Sequence, residues 1–335
     1  MKSLVTGGAG FIGSHVARHL LERGHEVVVL DDLSGGFEDC VPQKACFVEG
    51  SVTDLSLVEK LFAENRFEFV FHIAAYAAEG LSHFIRRYNY ENNLIGSVNV
   101  VNASVNAGTV KRFVFTSSIA VYGAGQTPMS EEMAPEPEDP YGVAKLAVEM
   151  DLRAAKEIFG LDYTVFRPHN VYGEHQNIGD PYRNVVGIFM NQIMAGEPLS
   201  VFGDGLQTRA FSYIDDVAPI IARSVEVPES ANETFNIGAD RPYTVIELAK
   251  EVGRAFDLEP TIRHLPPRKE VVHAFSTHDK VIRIFGSQKN ISLTEGVSRM
   301  AKWAREHGSR RGQVFGSVEI MKNMPPSWKK DLLSS

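Results

Sequence analysis

The stretch Gly7-Gly8-Ala9-Gly10-Phe11-Ile12-Gly13 follows a short apolar run, Ser3–Thr6, and opens a helical pattern that ends at Gly24. Glycines at this spacing allow a tight turn, a close approach of the backbone to a pyrophosphate, and close packing of a helix on a strand. A second buried strand, Glu26–Leu30, stops at Asp31-Asp32. Strand, glycine turn, helix, strand and acid together predict a βαβ unit that binds a dinucleotide.

Asp31 lies 18 residues past Gly13, at the end of the second strand. A carboxylate at this point can accept hydrogen bonds from a ribose diol, whereas it would repel a 2′-phosphate. No arginine follows it closely. The pattern therefore favours NAD over NADP, with the pyrophosphate on the helix N-terminus.

The alternation of strands and helices continues as far as residue 168. Further strands are predicted at Ala45–Glu49, Phe67–Ile73, Arg112–Thr116 and Tyr163–Arg167, and helices at Asp54–Asn65, at His83–Ala107 and from Tyr141. This order predicts an α/β protein with a doubly wound parallel sheet of the Rossmann type. Ligands of such sheets bind at the carboxyl ends of the strands, where the sequence places Gly7, Asp31, Ala74, Ser118 and Pro168.

Beyond residue 168 the alternation of strands and helices becomes irregular. Short strands are predicted near Ser200–Phe202 and Thr234–Ile237, and a helix near Val245–Phe256. We predict an NAD-binding domain over 1–168, with a return segment at about 209–238. A smaller substrate lobe would comprise 169–208 and 239–310. Residues 311–335 would form a tail, either a solvated segment or a docking segment, of which the pattern favours the solvated one.

Composition excludes several classes of function. The 335 residues carry a net charge of −8, so no basic field indicates nucleic acid or an anionic membrane as a partner. Cys40 and Cys46 are the only cysteines, which makes a disulfide framework or a zinc site improbable, and we expect no metal. No apolar run reaches spanning length, and residues 2–6 have the pattern of a strand rather than of a signal peptide. We expect a cytoplasmic protein.

Tyr141-Gly-Val-Ala-Lys145 places a phenol and an ammonium one helical turn apart on the same face. The ammonium favours the phenolate and should lower the phenol pKa from about 10, which would make Tyr141 a general base or acid for a hydroxyl proton. By itself the pair is weak evidence, because a solvated helix face has the same spacing.

Together with the glycine loop and Ser118, this pair makes the chain resemble the extended short-chain dehydrogenases/reductases. Within them it is similar to the nucleotide-sugar 4-epimerases of the UDP-glucose 4-epimerase type. The resemblance covers about residues 2–305 and is carried in order by the motifs Thr116–Gly123, Arg167–Gly173, Phe202–Gly205 and Thr208–Val217.

The resemblance implies NAD-dependent epimerisation at C4 of a UDP-hexose in a homodimer. Tyr141 would take the proton from the sugar O4 while the C4 hydride moves to NAD and later returns to the other face of a 4-keto sugar. Ser118, Tyr141 and Lys145 would be the catalytic residues. The implied NAD contacts are Gly7, Gly10, Phe11, Ile12, Gly13, Asp31, Asp32, Ser34, Ser51, Val52, Ala74, Ala75, Asn93, Tyr141, Lys145 and Pro168. The implied substrate contacts are Ser118, Asn170, Asn184, Val185, Arg209, Arg268 and Ala274.

Four departures from the family pattern bear on the substrate. Ser51 replaces an Asp near the adenine, and the pattern around Pro267-Arg268-Lys269-Glu270 is altered. Ala274 aligns with the position whose size admits N-acetylated sugars, so a small residue leaves room for an acetamido group. Glu174-His175-Gln176 lacks the arginine of uronate epimerases, which favours a neutral hexose unless Arg86, Arg87 or Arg183 substitutes.

Other functions of the same fold remain alternatives. Dehydratases carry an Asp-Glu pair after the serine, where this chain has Ile119 and Ala120, and Ala120 also replaces the glutamate of uronate decarboxylases. An epimerase/reductase would need a cysteine at Ile119 as the partner of His175. UDP-glucuronate 4-epimerisation stays open, as does a non-catalytic NAD-sensing module, although such a module would not need Tyr141 or Lys145.

Overall fold

The computed structural model describes residues 1–125, 127–268, 271–286, 290–310 and 318–333. Its strands are β1 (Lys2–Thr6), β2 (Glu26–Asp31), β3 (Cys46–Glu49), β4 (Phe69–His72), β5 (Arg112–Thr116), β6 (Tyr163–Pro168), β7 (Val171–Tyr172), β8 (Leu199–Phe202), β9 (Thr208–Ala210), β10 (Ser212–Tyr213), β11 (Glu233–Ile237), β12 (Pro242–Thr244), β13 (Ile262–Leu265) and β14 (His273–Ala274). Its α-helices are α1 (Phe11–Glu22), α2 (Leu55–Glu64), α3 (Glu79–Ser82), α4 (Arg86–Tyr90), α5 (Gly96–Ala107), α6 (Pro140–Phe159), α7 (Val185–Met194), α8 (Ile214–Arg223), α9 (Val245–Ala255), α10 (Asp279–Phe285), α11 (Leu293–His307) and α12 (Pro326–Leu333).

Seven parallel strands form the central sheet, in the order β11-β6-β5-β4-β1-β2-β3. Strand β1 pairs with β2 on one side, Leu4 opposite Val28, and with β4 on the other, Leu4 opposite Val70. The strand order reverses at β1/β4, so the carboxyl ends of these two strands border the crevice of a doubly wound sheet. The prediction of a Rossmann-type α/β fold is confirmed.

The two faces of the sheet bury two separate apolar cores. Leu4, Val28 and Val70 belong to one core, which includes residues of α2, α5 and α6. Val5 and Val29, the next residues along their strands, belong to the other core, with α1 and α8. Successive side chains of a strand point to opposite faces, and a parallel sheet covered on both faces needs apolar residues at both.

Two residues at the start of α6 fix where the helix begins. Asp139 is the N-cap, and its carboxylate accepts a 2.9 Å hydrogen bond from the Gly142 amide, while Pro140 occupies the first helical position. Both residue types are favoured at these positions. Tyr141 is therefore held in the first turn, and Lys145 follows one turn later.

The single helix predicted over His83–Ala107 is wrong at its start. The helix begins at Arg86, because the preceding residue, Ile85, has non-helical backbone angles of φ −132° and ψ 43°. Residues Glu91–Ile95 then form a π-helical turn. Within that turn the Asn93 side chain accepts a 2.8 Å hydrogen bond from the Tyr76 amide and donates a 3.1 Å bond to the Tyr76 carbonyl. Such wide turns let a side chain make bonds that a regular helix would not allow.

The interpretation of the tail as solvated is also wrong for the part that the structure describes. Met324 and Trp328 are only 3% and 5% exposed, and they share an apolar cluster with Tyr76, Leu81 and Ile85. Residues 311–317 and 334–335 of the tail lie outside the described residues, as do Lys269 and Glu270. The division into two domains stays a prediction. Among the described residues, no helix is both long enough and apolar enough to cross a membrane.

Candidate active site

One cleft at the carboxyl ends of the sheet strands gathers most of the predicted site residues. The predicted residues that line it are Gly7, Gly10, Phe11, Ile12, Gly13, Asp31, Asp32, Ser34, Ser51, Val52, Ala74, Ala75, Ser118, Tyr141, Lys145, Pro168, Asn170, Asn184, Val185, Arg209 and Arg268. They come from segments far apart in the chain, and the sheet topology brings them together because all seven strands end at the same edge.

The glycine loop at one end of the cleft cannot carry larger side chains. Gly7 has φ +72°, and a Cβ on it would lie 2.7 Å from the backbone of Ala74. A Cβ on Gly13 would lie 2.0 Å from the Gly7 carbonyl oxygen. Gly10, the N-cap of α1, has no side chain to bond the first amides of the helix, so these amides suit an anionic group.

Asp31 lies at the far side of this loop and is almost completely buried. Its carboxylate accepts hydrogen bonds from the amides of Ala9, at 3.0 Å, and Leu33, at 2.8 Å. Burial raises the pKa of Asp31, and these two backbone bonds oppose that shift. An anion-binding helix start with an acid at the end of the next strand fits a dinucleotide without a 2′-phosphate.

Ser118, Tyr141 and Lys145 lie together further along the same cleft. The Ser118 hydroxyl makes a side-chain hydrogen bond with the Tyr141 phenol and accepts a 3.1 Å bond from the Ala120 amide. The Lys145 ammonium donates a 2.8 Å bond to the Thr116 carbonyl oxygen and lies 5.7 Å from the centre of the Tyr141 ring. The ammonium is therefore tied to the end of β5 beside the phenol.

The pKa of Tyr141 differs from the sequence-based expectation. Burial raises it above the usual value, and the opposing contributions come from the hydrogen bond with Ser118 and the charge of Arg183. Burial also lowers the pKa of Lys145 to about 7, against the attraction of Glu149. The expected depression of the phenol pKa by Lys145 is thus not present in this structure, because both groups are almost fully excluded from water.

A buried charge network beneath Lys145 was missed by the sequence analysis. Glu149, one helical turn beyond Lys145, is 1% exposed and accepts hydrogen bonds from Ser117, at 2.5 Å, and from Arg167, at 2.9 and 2.5 Å. Arg167 also donates to the Tyr122 hydroxyl at 2.7 Å. A glutamate four residues after the lysine on the same helix face was the available signal.

Two arginines border the opposite end of the cleft. The Arg209 guanidinium donates to the carbonyl oxygens of Thr208, Val271 and Val272 at 2.5 to 2.9 Å. The Arg268 guanidinium stacks 4.5 Å from the centre of the Phe202 ring. Both side chains are held by neighbouring groups, and both place a guanidinium at the cleft.

Three residues singled out from the sequence lie outside the lining of the cleft. The Asn93 side-chain amide is hydrogen-bonded to the backbone of Tyr76. Ala274 pairs with Arg209 across β14 and β9 but packs among Ile119 and other apolar residues. His175 forms a 3.0 Å hydrogen bond with Ser14, and its ring centre lies 4.9 Å from that of His15. Each is placed by a long-range contact that sequence spacing does not reveal.

Several lining residues were not predicted as site residues, among them Tyr76, Glu79, Tyr182 and Gln176. Arg183 had been considered only as a substitute for a uronate-binding arginine. It lines the cleft with its guanidinium 4.4 Å from the Tyr76 ring centre and 2.8 Å from the Asp180 carboxylate. Its position next to Asn184, the N-cap of α7, was the only local signal.

Comparison with known proteins identifies the family. The sequence model of the NAD dependent epimerase/dehydratase family matches residues 3–238. The chain belongs to this family. It is 37% identical to a solved UDP-glucose 4-epimerase of Thermotoga maritima, crystallised with UDP-glucose, with a TM-score of 0.86 over 91% of this chain and 99% of the other. It is 33% identical to the UDP-glucose 4-epimerase of Mycolicibacterium smegmatis, over 91% and 99% of the two chains.

The family includes other reactions. A UDP-N-acetyl-α-D-glucosaminuronate decarboxylase of Bacillus cytotoxicus is 29% identical over 91% of this chain and 98% of its own length. The expectation of an NAD-dependent enzyme of the UDP-glucose 4-epimerase-like family is confirmed. The sugar and the reaction have to be argued from the residues in the cleft.

Proposed function

We propose that this protein epimerises C4 of a UDP-hexose, with UDP-glucose and UDP-galactose as the first candidates, through a 4-keto sugar. The observation that carries the proposal is the cluster of Ser118, Tyr141 and Lys145 in the same cleft as the glycine loop. A phenol, a hydroxyl and an ammonium close together can remove and return a hydroxyl proton beside a dinucleotide.

Each of the three residues has a defined task in this proposal. Tyr141 takes the proton from the sugar O4 and gives it back, with Ser118 hydrogen-bonded to both oxygens. Bound NAD supplies the acceptor and donor of the C4 hydride. Because burial opposes the Tyr141 phenolate, the nearby positive charge of Lys145 has to stabilise it when it forms. The Thr116 carbonyl holds that ammonium in place.

Recognition of the nucleotide would fall to Arg209 and Arg268. A diphosphate carries about two negative charges that a chain of net charge −8 must meet with local donors. Asn184 would also belong to this end of the site. Its side-chain amide donates to the Val171 carbonyl oxygen and accepts from the Val186 amide at the start of α7, and these two bonds fix its position. Asn170 and Val185 border the same space.

Other reactions of the family need an acid or base that the corresponding residues of this chain do not supply to the cleft. Ile119 and Ala120 follow Ser118, and Ile119 is buried in an apolar cluster, so neither can move a proton for elimination or decarboxylation. His175 packs against Ser14 and His15 instead of lining the cleft, which leaves an epimerase/reductase reaction without its histidine. These features support C4 epimerisation over the alternatives.

Two positions, Ala274 and Arg183, bear on which sugar the site would take. The position of Ala274 outside the cleft lining removes the argument that it makes room for an acetamido group, so the N-acetylated pair ranks second. Arg183 in the cleft favours UDP-glucuronate as a further candidate, since a guanidinium binds a carboxylate in a bidentate way. Arg87 is 82% exposed and paired with Glu91, which argues against its use for the same purpose.

We also propose that the protein acts as a homodimer. Val143, Met150 and Ile158 are exposed at spacings of seven and eight residues along α6, which places them on one face. Ile95, in the π-helical turn before α5, is exposed as well. Two copies could bury these faces together in a four-helix bundle.

The test is an NMR or coupled assay with UDP-glucose, UDP-N-acetylglucosamine and UDP-glucuronate, with and without added NAD, beside Tyr141→Phe. Interconversion at C4 that Tyr141→Phe lowers by about 10²–10⁴ in kcat supports the proposal. Retention of the thermal melting curve and of NAD in the variant excludes misfolding. Failure of the wild-type protein to convert any of the three would overturn the UDP-sugar assignment.

A further inference from the structure

Residues 318–333, here called the C-terminal arm, dock onto the substrate end of the cleft. The Glu319 carboxylate accepts hydrogen bonds from the amides of Arg87, at 2.8 Å, and Tyr88, at 2.9 Å. The amides of Glu319 and Ile320 donate to the Phe84 carbonyl oxygen at 2.9 and 3.2 Å. Two backbone–backbone bonds and two bonds to the Glu319 carboxylate thus fasten the arm to the segment Phe84–Tyr88.

The apolar side of the arm is anchored by Trp328, which is 5% exposed. Its ring meets Phe84 edge to face at 6.1 Å and Tyr182 at 5.4 Å. A Cβ on Gly80 would lie 3.1 Å from the Trp328 ring, so the indole packs directly on this glycine. Gly80 follows β4 and Tyr182 precedes α7, and both line the cleft. Trp328 therefore joins the two walls of the site.

The same indole contacts a predicted substrate residue. The Arg268 guanidinium lies 4.5 Å from the centre of the Phe202 ring and 5.8 Å from the centre of the Trp328 ring. Two aromatic faces restrict a planar guanidinium through cation–π contacts and leave fewer rotamers open to a long, flexible side chain. An arginine held in this way loses less conformational freedom when an anion binds.

We propose that the C-terminal arm is part of the nucleotide-sugar site, and that Trp328 is a positioning residue that holds Arg268 ready for the phosphates of the nucleotide. This inference rests on the proposed function, because it assigns Arg268 to the diphosphate. It adds a segment that the family resemblance, which ends near residue 305, does not include.

The first experiment compares Trp328→Ala and Trp328→Phe with wild type in the epimerase assay. For Trp328→Ala we expect KM for UDP-glucose, and Kd for UDP by calorimetry, to rise about tenfold, equivalent to about 1.4 kcal/mol. The value of kcat should change less than threefold and NAD should be retained. Trp328→Phe keeps an aromatic face and should recover most of the affinity. Equal KM and Kd in wild type and Trp328→Ala would overturn the inference, whereas absence of turnover in wild type would overturn the proposed function.

A double-mutant cycle tests whether Trp328 acts through Arg268. If it does, adding Trp328→Ala to Arg268→Ala should weaken UDP binding less than twofold further, since the group that it positions is already gone. Independent, additive losses would show that the indole acts by another route and would contradict the positioning role.

A fluorescence measurement covers the case in which Trp328→Ala fails to fold. The chain has two tryptophans, and Trp303 packs beside His175 and His307, outside the cluster that holds Trp328. In Trp303→Phe the emission reports Trp328 alone. We expect UDP to quench or shift the emission of Trp303→Phe in a saturable way. This response should be absent when Arg268→Ala is added to the same variant. Emission that does not respond to UDP, in a protein that binds UDP by calorimetry, would contradict the placement of the arm at the nucleotide site.

Discussion

Glu149 and Arg167 form a bidentate ion pair that is almost completely buried, with N–O distances of 2.9 and 2.5 Å. The pair links α6, which carries Tyr141 and Lys145, to β6, which ends at the cleft. Its charges are satisfied further by Ser117 and Tyr122. The catalytic helix is therefore held against the sheet by a charge network as well as by its apolar face.

Removal of one partner of this pair should destabilise the protein strongly. Glu149→Gln leaves the Arg167 guanidinium buried without a counter-charge, so we expect the free energy of unfolding to fall by about 3–5 kcal/mol. Urea unfolding followed by circular dichroism measures it. The half-exposed pair Lys156–Asp162 provides the control, and Asp162→Asn should cost at most about 1 kcal/mol. Similar losses in the two variants would contradict the buried network.

Lys145 should make stability depend on pH. Its pKa is lowered to about 7 in the folded protein, below the value near 10.4 of an unfolded chain. Between these values the unfolded state binds more protons, so this group makes the folded state more stable as the pH rises from about 7 to 10. We expect Lys145→Met to remove this slope in urea unfolding of the NAD-free protein at pH 7, 8 and 9. The exposed Lys60, replaced by Met, should leave the slope unchanged; an unaltered slope in Lys145→Met would refute the assignment.

The glycine loop should not tolerate a methyl group at residue 13. The Cβ of Gly13→Ala would overlap the Gly7 carbonyl at 2.0 Å, and the backbone has to move apart to admit it. We expect NAD binding by calorimetry to weaken more than tenfold, or the fold to be lost. Gly24→Ala is the control, since nothing lies within 4 Å of a Cβ on Gly24, although Gly24 has a positive φ of +81°. It should lose about 1–2 kcal/mol of stability and keep its NAD affinity. Unchanged NAD affinity in Gly13→Ala would exclude the loop as the pyrophosphate site.

The proposed dimer predicts the effect of a charge on the exposed face of α6. Met150 is 59% exposed in the single chain, and Met150→Asp would place a carboxylate in the centre of the buried bundle. We expect light scattering to find a dimer for wild type and a monomer for Met150→Asp. Leu55, 47% exposed on α2, gives the control, since Leu55→Asp should remain dimeric. A monomeric wild-type protein would contradict the proposed homodimer.

Local sequence patterns by themselves determine the architecture of this protein. The spacing of Gly7, Gly10 and Gly13, the acid at Asp31 and the alternation of apolar strands with amphipathic helices are short-range features. They predicted the parallel sheet and its ligand edge, because every strand of such a sheet brings its carboxyl end to the same edge. The cap Asp54 belongs with these local features, since a cap bonds within its own turn. The family resemblance implied most of the 21 predicted residues that line the cleft.

Contacts between distant segments, and the exclusion of water that they produce, were decided only by the tertiary structure. Arg183 reaches Tyr76, Trp328 reaches Gly80 and Arg268, and Glu149 reaches Arg167, each across a separation that no local pattern reports. The pKa of Tyr141 shows the physical reason most clearly. Its distance in sequence from Lys145 predicted a lowered value, whereas burial of both groups in the folded chain raises it.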